Sequence, residues 1–143
     1  MRRTATVLVT TIVAATTLSG CGGGSAYCDA VKKDQSSLNA FGKERTNAAY
    51  TNYAKVLAGI AKVSPADVKK DWTALANATS GIVAAQKTAG IPLEDMTDKT
   101  KLAKVSPAKQ DKLNVAYKAF NGTTAQRTAV VKNVLQECDI KLK

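Results

Sequence analysis

The side chains that could carry out chemistry in this chain are carboxylates, lysines and cysteines, because the sequence contains no histidine. This excludes a histidine-based triad, a histidine general base and the usual histidine-containing zinc sites. Glu94, Asp95 and Asp98 form the densest acidic cluster, but a calcium loop needs more oxygen ligands at alternating positions and a glycine at the bend. We interpret these three residues as solvated loop carboxylates and predict neither a metal nor a cofactor.

Two other groups of residues are poor candidates for catalysis. Asp67 and Asp71 are one helical turn apart and could share acid–base work, but the lysines between them favour local ion pairing. The serines at 36–37 lack the Gly-x-Ser-x-Gly context of a serine nucleophile. The sequence therefore predicts a protein that is not an enzyme. An enzyme that uses converging carboxylates or lysines is the remaining alternative.

The amino-terminal segment has the pattern of an export signal. Met1-Arg2-Arg3 is basic, and residues 7–18 form an apolar run that is too short to span a bilayer. The next residues, Leu18-Ser19-Gly20-Cys21, resemble the bacterial lipobox. That resemblance implies cleavage after residue 20 and attachment of diacylglycerol to Cys21. We therefore assign residues 1–20 to a lipoprotein signal peptide, residues 21–26 to the lipidated cysteine with a flexible Gly/Ser tether, and residues 27–143 to a single domain.

The remaining cysteines are predicted to form a disulfide. The chain contains three cysteines, and lipidation of Cys21 leaves Cys28 and Cys138 near the two ends of the domain. Outside the cytoplasm such a pair is expected to oxidise. A redox-active pair is the alternative, but the Cys-x-x-Cys spacing typical of that role is absent.

The chain is basic, with 21 Lys and Arg against 11 Asp and Glu. Loss of Arg2 and Arg3 with the signal leaves 19 cations and a net charge of +8. This excess favours anionic neighbours, such as lipid headgroups or wall polymers, and the alternative is a well-solvated surface. The candidate residues for an anion site are Lys69, Lys70, Lys101 and Lys104.

Two aromatic residues are candidates for contact with a ligand. Trp72 is the only tryptophan, and it shares a helix face with Val68 and Leu75. It is either a core anchor or a residue that stacks on a ligand at a pocket mouth. If the protein carries a small apolar ligand, we expect Trp72 and Tyr117 to line its cavity.

Apolar residues recur at helical spacing along most of the chain, and strand signals are weak. The first apolar stripe is interrupted at Asp34 and stops near Gly42. Ser64-Pro65 predicts the start of a later helix, with Ser as the N-cap residue and Pro in the first turn, and Gly90 predicts its end. Between residues 90 and 105 the pattern lapses, leaving room for one short turn.

The second half of the chain predicts two more helices. The hexapeptide at residues 61–66 recurs at 103–108, which we interpret as two helices that use the same start signal. The last helix is predicted to begin near residue 123 or 124. One side of it is expected to carry Val130, Val131, Val134, Leu135 and Cys138. We predict an all-α fold, a small up-and-down bundle of four to five helices closed by the terminal disulfide.

These motifs resemble those of small lipoproteins of unknown function from high-GC Gram-positive bacteria. Besides the lipobox, the resemblance rests on Tyr27-Cys28-Asp29, Val31-Lys32-Lys33-Asp34, Ser64-Pro65 leading to Asp71-Trp72, and Gln136-Glu137-Cys138-Asp139-Ile140. It implies an exported helical domain and no particular activity.

The sequence predicts a membrane-anchored lipoprotein on the outer face of the cytoplasmic membrane. We expect a non-catalytic binding or interaction module, whose partners are the membrane through its lipid and an anionic envelope polymer or an envelope protein. A carrier of a small apolar ligand is the alternative. Nucleic acid is not an expected partner, because the domain lies outside the cell and lacks interleaved exposed aromatics.

Overall fold

A computed structural model describes residues 25–143, and every regular element in this range is helical. The predicted signal peptide, the lipidation site Cys21 and residues 22–24 of the predicted tether lie outside the described residues. A 3-10 turn, Leu93–Asp95, lies between the fourth and fifth helices. The helices are α1 (Ala26–Lys33), α2 (Gln35–Ala40), α3 (Asn47–Val63), α4 (Ala66–Ala89), α5 (Lys99–Leu102), α6 (Pro107–Asn121) and α7 (Thr124–Cys138).

The helices form an all-α bundle, as predicted. Seven helices are described instead of four to five, because the first and last long segments are each divided in two (α1 with α2, α6 with α7) and the short α5 is added. α1 and α2 lead from the disulfide towards the middle of the bundle, where Phe41 contacts Phe120 at the end of α6. α3 and α4 form an antiparallel pair joined by a two-residue connection. α7 packs along the first half of α4 and α6 along the second half. None of the helices between residues 25 and 143 has the length and apolarity needed to cross a membrane.

The amino-terminal boundary of the fold lies inside the predicted tether. Ser25 is the N-cap residue of α1, and its hydroxyl accepts a hydrogen bond from the Cys28 N–H at 3.1 Å. Such a bond satisfies one of the free N–H groups at a helix start. Ser25 and Ala26 therefore belong to the folded domain. The predicted interruption at Asp34 separates α1 from α2.

The two Ser-Pro signals start their helices in different registers. Ser106 is the N-cap residue of α6 and Pro107 is its first helical residue, as predicted. At the first copy, Pro65 is still extended and α4 begins one residue later. The Ser64 hydroxyl donates back to the Ala61 carbonyl at the end of α3, so the prediction that Ser64 caps α4 is wrong. The two copies differ in what precedes them: α3 runs up to Val63, directly before Ser64, whereas α5 ends at Leu102, and residues 103–105 separate it from Ser106.

The end of α4 at Gly90 is confirmed. Gly90 has φ +73°, and its N–H and that of Ile91 donate to the Gln86 carbonyl at 2.8 and 3.3 Å. This left-handed cap is favourable for glycine because it has no Cβ.

The disulfide between Cys28 and Cys138 is present, with the two Cα atoms 5.3 Å apart. It joins the start of α1 to the end of α7. Beside it lies the main core cluster, in which Val31, Ile60, Trp72 and Val134 are almost completely buried. The two ends of the domain are therefore held covalently and by close packing.

The buried face of α7 is narrower than predicted. Val130 and Val134 are buried, but Val131 is 42% exposed and Leu135 is 48% exposed. The predicted residues do lie on one side of α7, but only part of that side is buried. α7 packs mainly against α4 and α1, so only a thin stripe of its surface is covered.

Candidate functional site

The four candidate lysines do not form one site. Lys69 and Lys70 lie exposed in the first turns of α4, whereas Lys101 and Lys104 lie in the segment that packs beyond the other end of this helix. The 24 residues of α4 correspond to a length of about 36 Å, so the two pairs are near opposite ends. Lys101 is also paired with Asp95 at 2.7 Å, and this hydrogen bond raises the pKa of Lys101.

The acidic cluster interacts with protein groups. Glu94 accepts a hydrogen bond from the Asn47 N–H at the start of α3, at 3.1 Å, and Asp98 accepts two from the first turn of α5. Among residues 25–143, no three His, Cys, Asp or Glu side chains are grouped so that they could hold a metal ion. The interpretation as merely solvated carboxylates therefore misses their part in fixing this loop.

The expected ion pairs at the start of α4 are not formed. Within the described part of the chain, the single ion pair with N···O within 4.0 Å joins Lys101 to Asp95. The prediction that Asp67 and Asp71 pair with adjacent lysines is therefore wrong.

Trp72 is a core anchor. It is 1% exposed, and its indole Nε1–H donates to the Tyr27 hydroxyl at 3.1 Å. The Tyr27 hydroxyl in turn donates to Asn133 Oδ1 at 2.8 Å, and burial raises the pKa of Tyr27. Trp72 also borders a mostly apolar cavity of about 200 Å³, whose lining includes Leu38, Leu57, Leu142 and, from α7, Arg127.

Tyr117 lines a different and larger cavity. This cavity measures about 530 Å³ and lies between the loop after α2, the 3-10 turn and the junction of α6 with α7. The Tyr117 hydroxyl accepts a hydrogen bond from Gln86 Nε2 at 2.8 Å, and burial raises the pKa of Tyr117 above 10.0. Within residues 25–143, Trp72 and Tyr117 thus line two different cavities and not the single one that was expected.

We call the larger space the arginine cavity, because Arg45 and Arg127 both line it. Its walls also include the aromatic rings of Phe41, Tyr50 and Phe120, whose centroids lie 5.7 to 6.3 Å apart. The described residues that line it include no Asp or Glu. Its surface therefore combines cationic hydrogen-bond donors with apolar rings.

Packing holds the guanidinium of Arg127 in place. Its Cζ lies 4.5 Å from the Phe120 ring centroid and 5.9 Å from that of Phe41. One terminal nitrogen donates to the Phe120 carbonyl at 2.9 Å. Such stacking is worth about 0.5–1 kcal/mol at an exposed site and more where water is excluded. Arg127 is therefore a fixed positive charge, whereas Arg45 is exposed to solvent.

Sequence reasoning missed this site because it followed the density of lysines. One signal was available: the chain has only four arginines among its 21 cations, and two of these precede residue 4. The two arginines of the described domain are 82 positions apart in the sequence, and no local pattern places them together.

Comparisons with protein-family models, with curated proteins and with solved structures found no match to this chain. Its function therefore has to be inferred from the chemistry of the residues and cavities themselves.

Proposed function

We propose that this protein is a membrane-anchored extracytoplasmic lipoprotein that acts as a non-catalytic binding module. The observation that carries the binding role is the arginine cavity. Its volume of about 530 Å³ lies within the range of small-molecule sites, and its lining is polar and apolar in about equal parts. The residues that line it can stack on a ligand and donate hydrogen bonds to it, and none of them is acidic. This lining favours ligand binding over acid–base catalysis.

The lipid anchor is supported by the residues that precede the fold. The pattern Leu18-Ser19-Gly20-Cys21 follows a basic and then an apolar segment. A disulfide is typical of proteins outside the cytoplasm, and the Cys28–Cys138 bond agrees with export. Acyl chains on Cys21 would hold the domain at the outer face of the cytoplasmic membrane.

Intact mass spectrometry tests the anchor. The protein is extracted in mild detergent from its native membranes without reductant. The expected mass is that of residues 21–143 with acyl chains and two hydrogens fewer for the disulfide. The matched control, Cys21→Ser, is expected to lack acyl chains and to leave the membrane fraction. A wild-type mass without acyl chains would contradict the lipoprotein assignment.

A carrier of a small apolar ligand is the second candidate, and the cavity beside Trp72 favours it. At about 200 Å³ that cavity is smaller than most ligand sites but is comparable to cavities that accept benzene. Because Trp72 is the only tryptophan, its fluorescence reports occupancy directly. A carrier would show saturable quenching or enhancement with toluene, and Leu38→Phe, which reduces the cavity without adding a second tryptophan, would weaken the response. An unchanged spectrum would reject this candidate.

A further inference from the structure

The distribution of arginine across the domain is uneven. Residues 25–143 contain 17 lysines and two arginines, and both arginines line the same cavity. A guanidinium presents a planar fork of donors that matches carboxylate or phosphate oxygens, whereas an ammonium is a compact point charge. A general need for positive surface charge is met by lysine throughout this domain. The arginines therefore mark a place where donor geometry matters.

Neither arginine is neutralised within the described domain. The one ion pair there is Lys101–Asp95, so no carboxylate lies within 4.0 Å of Arg45 or Arg127. One terminal nitrogen of Arg127 donates to the Phe120 carbonyl and its Nε is buried, so the donors left for a ligand are on the terminal nitrogens. The cavity thus contains positive charge that no carboxylate of the described domain neutralises.

The rest of the lining excludes a bare inorganic anion as the best ligand. Polar and apolar atoms contribute about equally to the accessible lining. The apolar part comes from aromatic and aliphatic side chains, of which Tyr50, Leu93 and Phe120 expose less than a tenth of their surface. A phosphate or sulfate ion occupies only a small part of about 530 Å³ and leaves these walls uncovered. A molecule with an apolar body buries them, and each buried methylene contributes about 0.8 kcal/mol.

We infer that the arginine cavity binds a small organic anion, whose carboxylate, phosphate or sulfate group meets Arg45 and Arg127 and whose apolar body packs on the aromatic walls. This inference rests on the proposed binding function and names its ligand class. The anionic end supplies orientation through charge-assisted hydrogen bonds, and the rings supply contact area.

Titration calorimetry with three matched probes tests the inference: benzyl phosphate, inorganic phosphate and benzyl alcohol. The full chain is used with its anchor in phosphatidylcholine nanodiscs, and discs without protein provide the blank. Benzyl phosphate is expected to bind at least about tenfold more tightly than either part alone, since a hydrogen bond to a charged group contributes about 1.5–3 kcal/mol. Equal affinity for benzyl alcohol and benzyl phosphate would overturn the anion assignment. Equal affinity for benzyl phosphate and inorganic phosphate would overturn the inference that the ligand has an apolar body.

Arg45→Gln is the decisive variant, because Arg45 is exposed and we expect its replacement to leave the fold intact. It is expected to weaken benzyl phosphate about tenfold and to change benzyl alcohol binding less than about twofold. Lys43→Gln is the matched control, since it removes one exposed charge two residues away. An equal loss in both variants would assign the effect to general surface charge and overturn the inference. Arg127→Lys keeps the charge but removes the fork, and its expected loss is also about tenfold.

The three probes and the arginine variants test the binding function and the anionic ligand class separately. Binding of benzyl alcohol alone, unchanged in the arginine variants, would leave the binding module standing and reject the anion class. Failure of all three probes at millimolar concentration would reject both. Phosphatidylglycerol vesicles, added to the nanodisc-bound protein with benzyl phosphate already in place, distinguish a lipid headgroup from a free organic anion as the natural ligand. Both results are compatible with anion binding in the arginine cavity. Displacement of benzyl phosphate assigns a lipid headgroup, and absence of displacement assigns a free molecule.

Discussion

Replacement of Tyr27 by phenylalanine removes one oxygen atom that connects three helices. The Tyr27 hydroxyl accepts from Trp72 Nε1 at 3.1 Å and donates to Asn133 Oδ1 at 2.8 Å. It thereby links α1 to α4 and α7. Tyr27 is 2% exposed and Trp72 is 1% exposed, so water has no access to the indole N–H. The edge-to-face contact of the two rings, at 6.4 Å, does not depend on the hydroxyl and is retained.

The expected loss follows from what each partner does afterwards. Asn133 is half-buried and can turn to water, so its bond contributes only about 1 kcal/mol. The indole N–H of Trp72 remains buried without a partner, which costs about 1–3 kcal/mol. We expect Tyr27→Phe to lower the free energy of unfolding by about 2–4 kcal/mol. For a domain of this size, that corresponds to a Tm lower by about 10 °C.

Urea denaturation followed by fluorescence of Trp72 and by circular dichroism measures the loss. Tyr53→Phe is the control, because its hydroxyl makes one bond, to the Ala40 carbonyl at 2.7 Å, and its loss should cost about 1 kcal/mol. Trp72→Phe in the Tyr27→Phe background should cost less than in the wild type, since the stranded donor is then removed. The reasoning is refuted if Tyr27→Phe costs no more than Tyr53→Phe.

Three further predictions concern the disulfide, two glycines of the α4 region and the dependence of stability on pH. The Cys28–Cys138 bond closes a loop of 110 residues, so its reduction should lower the free energy of unfolding by about 3–5 kcal/mol. The measurement compares urea denaturation in the presence and in the absence of reductant. A difference below about 1 kcal/mol would mean that packing alone holds the two ends of the domain together. Gly90→Ala should destabilise the fold by about 1 kcal/mol, because residue 90 has φ +73°. Gly81→Ala should stabilise it by about 0.5–1 kcal/mol, because residue 81 lies inside α4 and has open space where the Cβ would be. Thermal denaturation measures both changes, and the same sign for the two variants would contradict this prediction. Burial raises the pKa of Tyr117, so the native state holds this proton to higher pH than the unfolded chain does. Stability should therefore be complete below pH 10.0 and fall as the pH rises above it, with a shallower fall in Tyr117→Phe when denaturation is repeated across that range.

The features that the sequence predicts correctly depend on neighbours along the chain or on simple counting. The end of α4 at Gly90 and the break at Asp34 are local signals, and they act in the fold as expected. The Cys28–Cys138 disulfide followed from three cysteines and one lipidation signal. The all-α bundle followed from apolar spacing, which records the face that each helix buries.

The failures share a different physical cause. The spacing of Val131 and Leu135 matches a buried stripe, but exposure depends on which helices lie beside α7. The split of the lysines into two distant pairs depends on the length and direction of α4. The arginine cavity depends on Arg45 and Arg127, which meet only after the chain has folded. Each of these properties is set by tertiary packing. None of them can be predicted from the residues within a short stretch of the sequence.

The position of the arginine cavity along α7 bears on the source of its ligand. Arg127 precedes Cys138 by three turns of helix, which places it about 16 Å from the disulfide end. With Cys21 anchored in the proposed way, residues 22–25 add at most about 14 Å between the lipid and the fold. A domain that stands upright on this tether holds the cavity above the headgroups, whereas a domain that lies on its side brings the cavity within their reach. Competition by phosphatidylglycerol vesicles therefore also reports the orientation of the anchored domain: an upright domain keeps its benzyl phosphate, and a domain on its side loses it to the lipid.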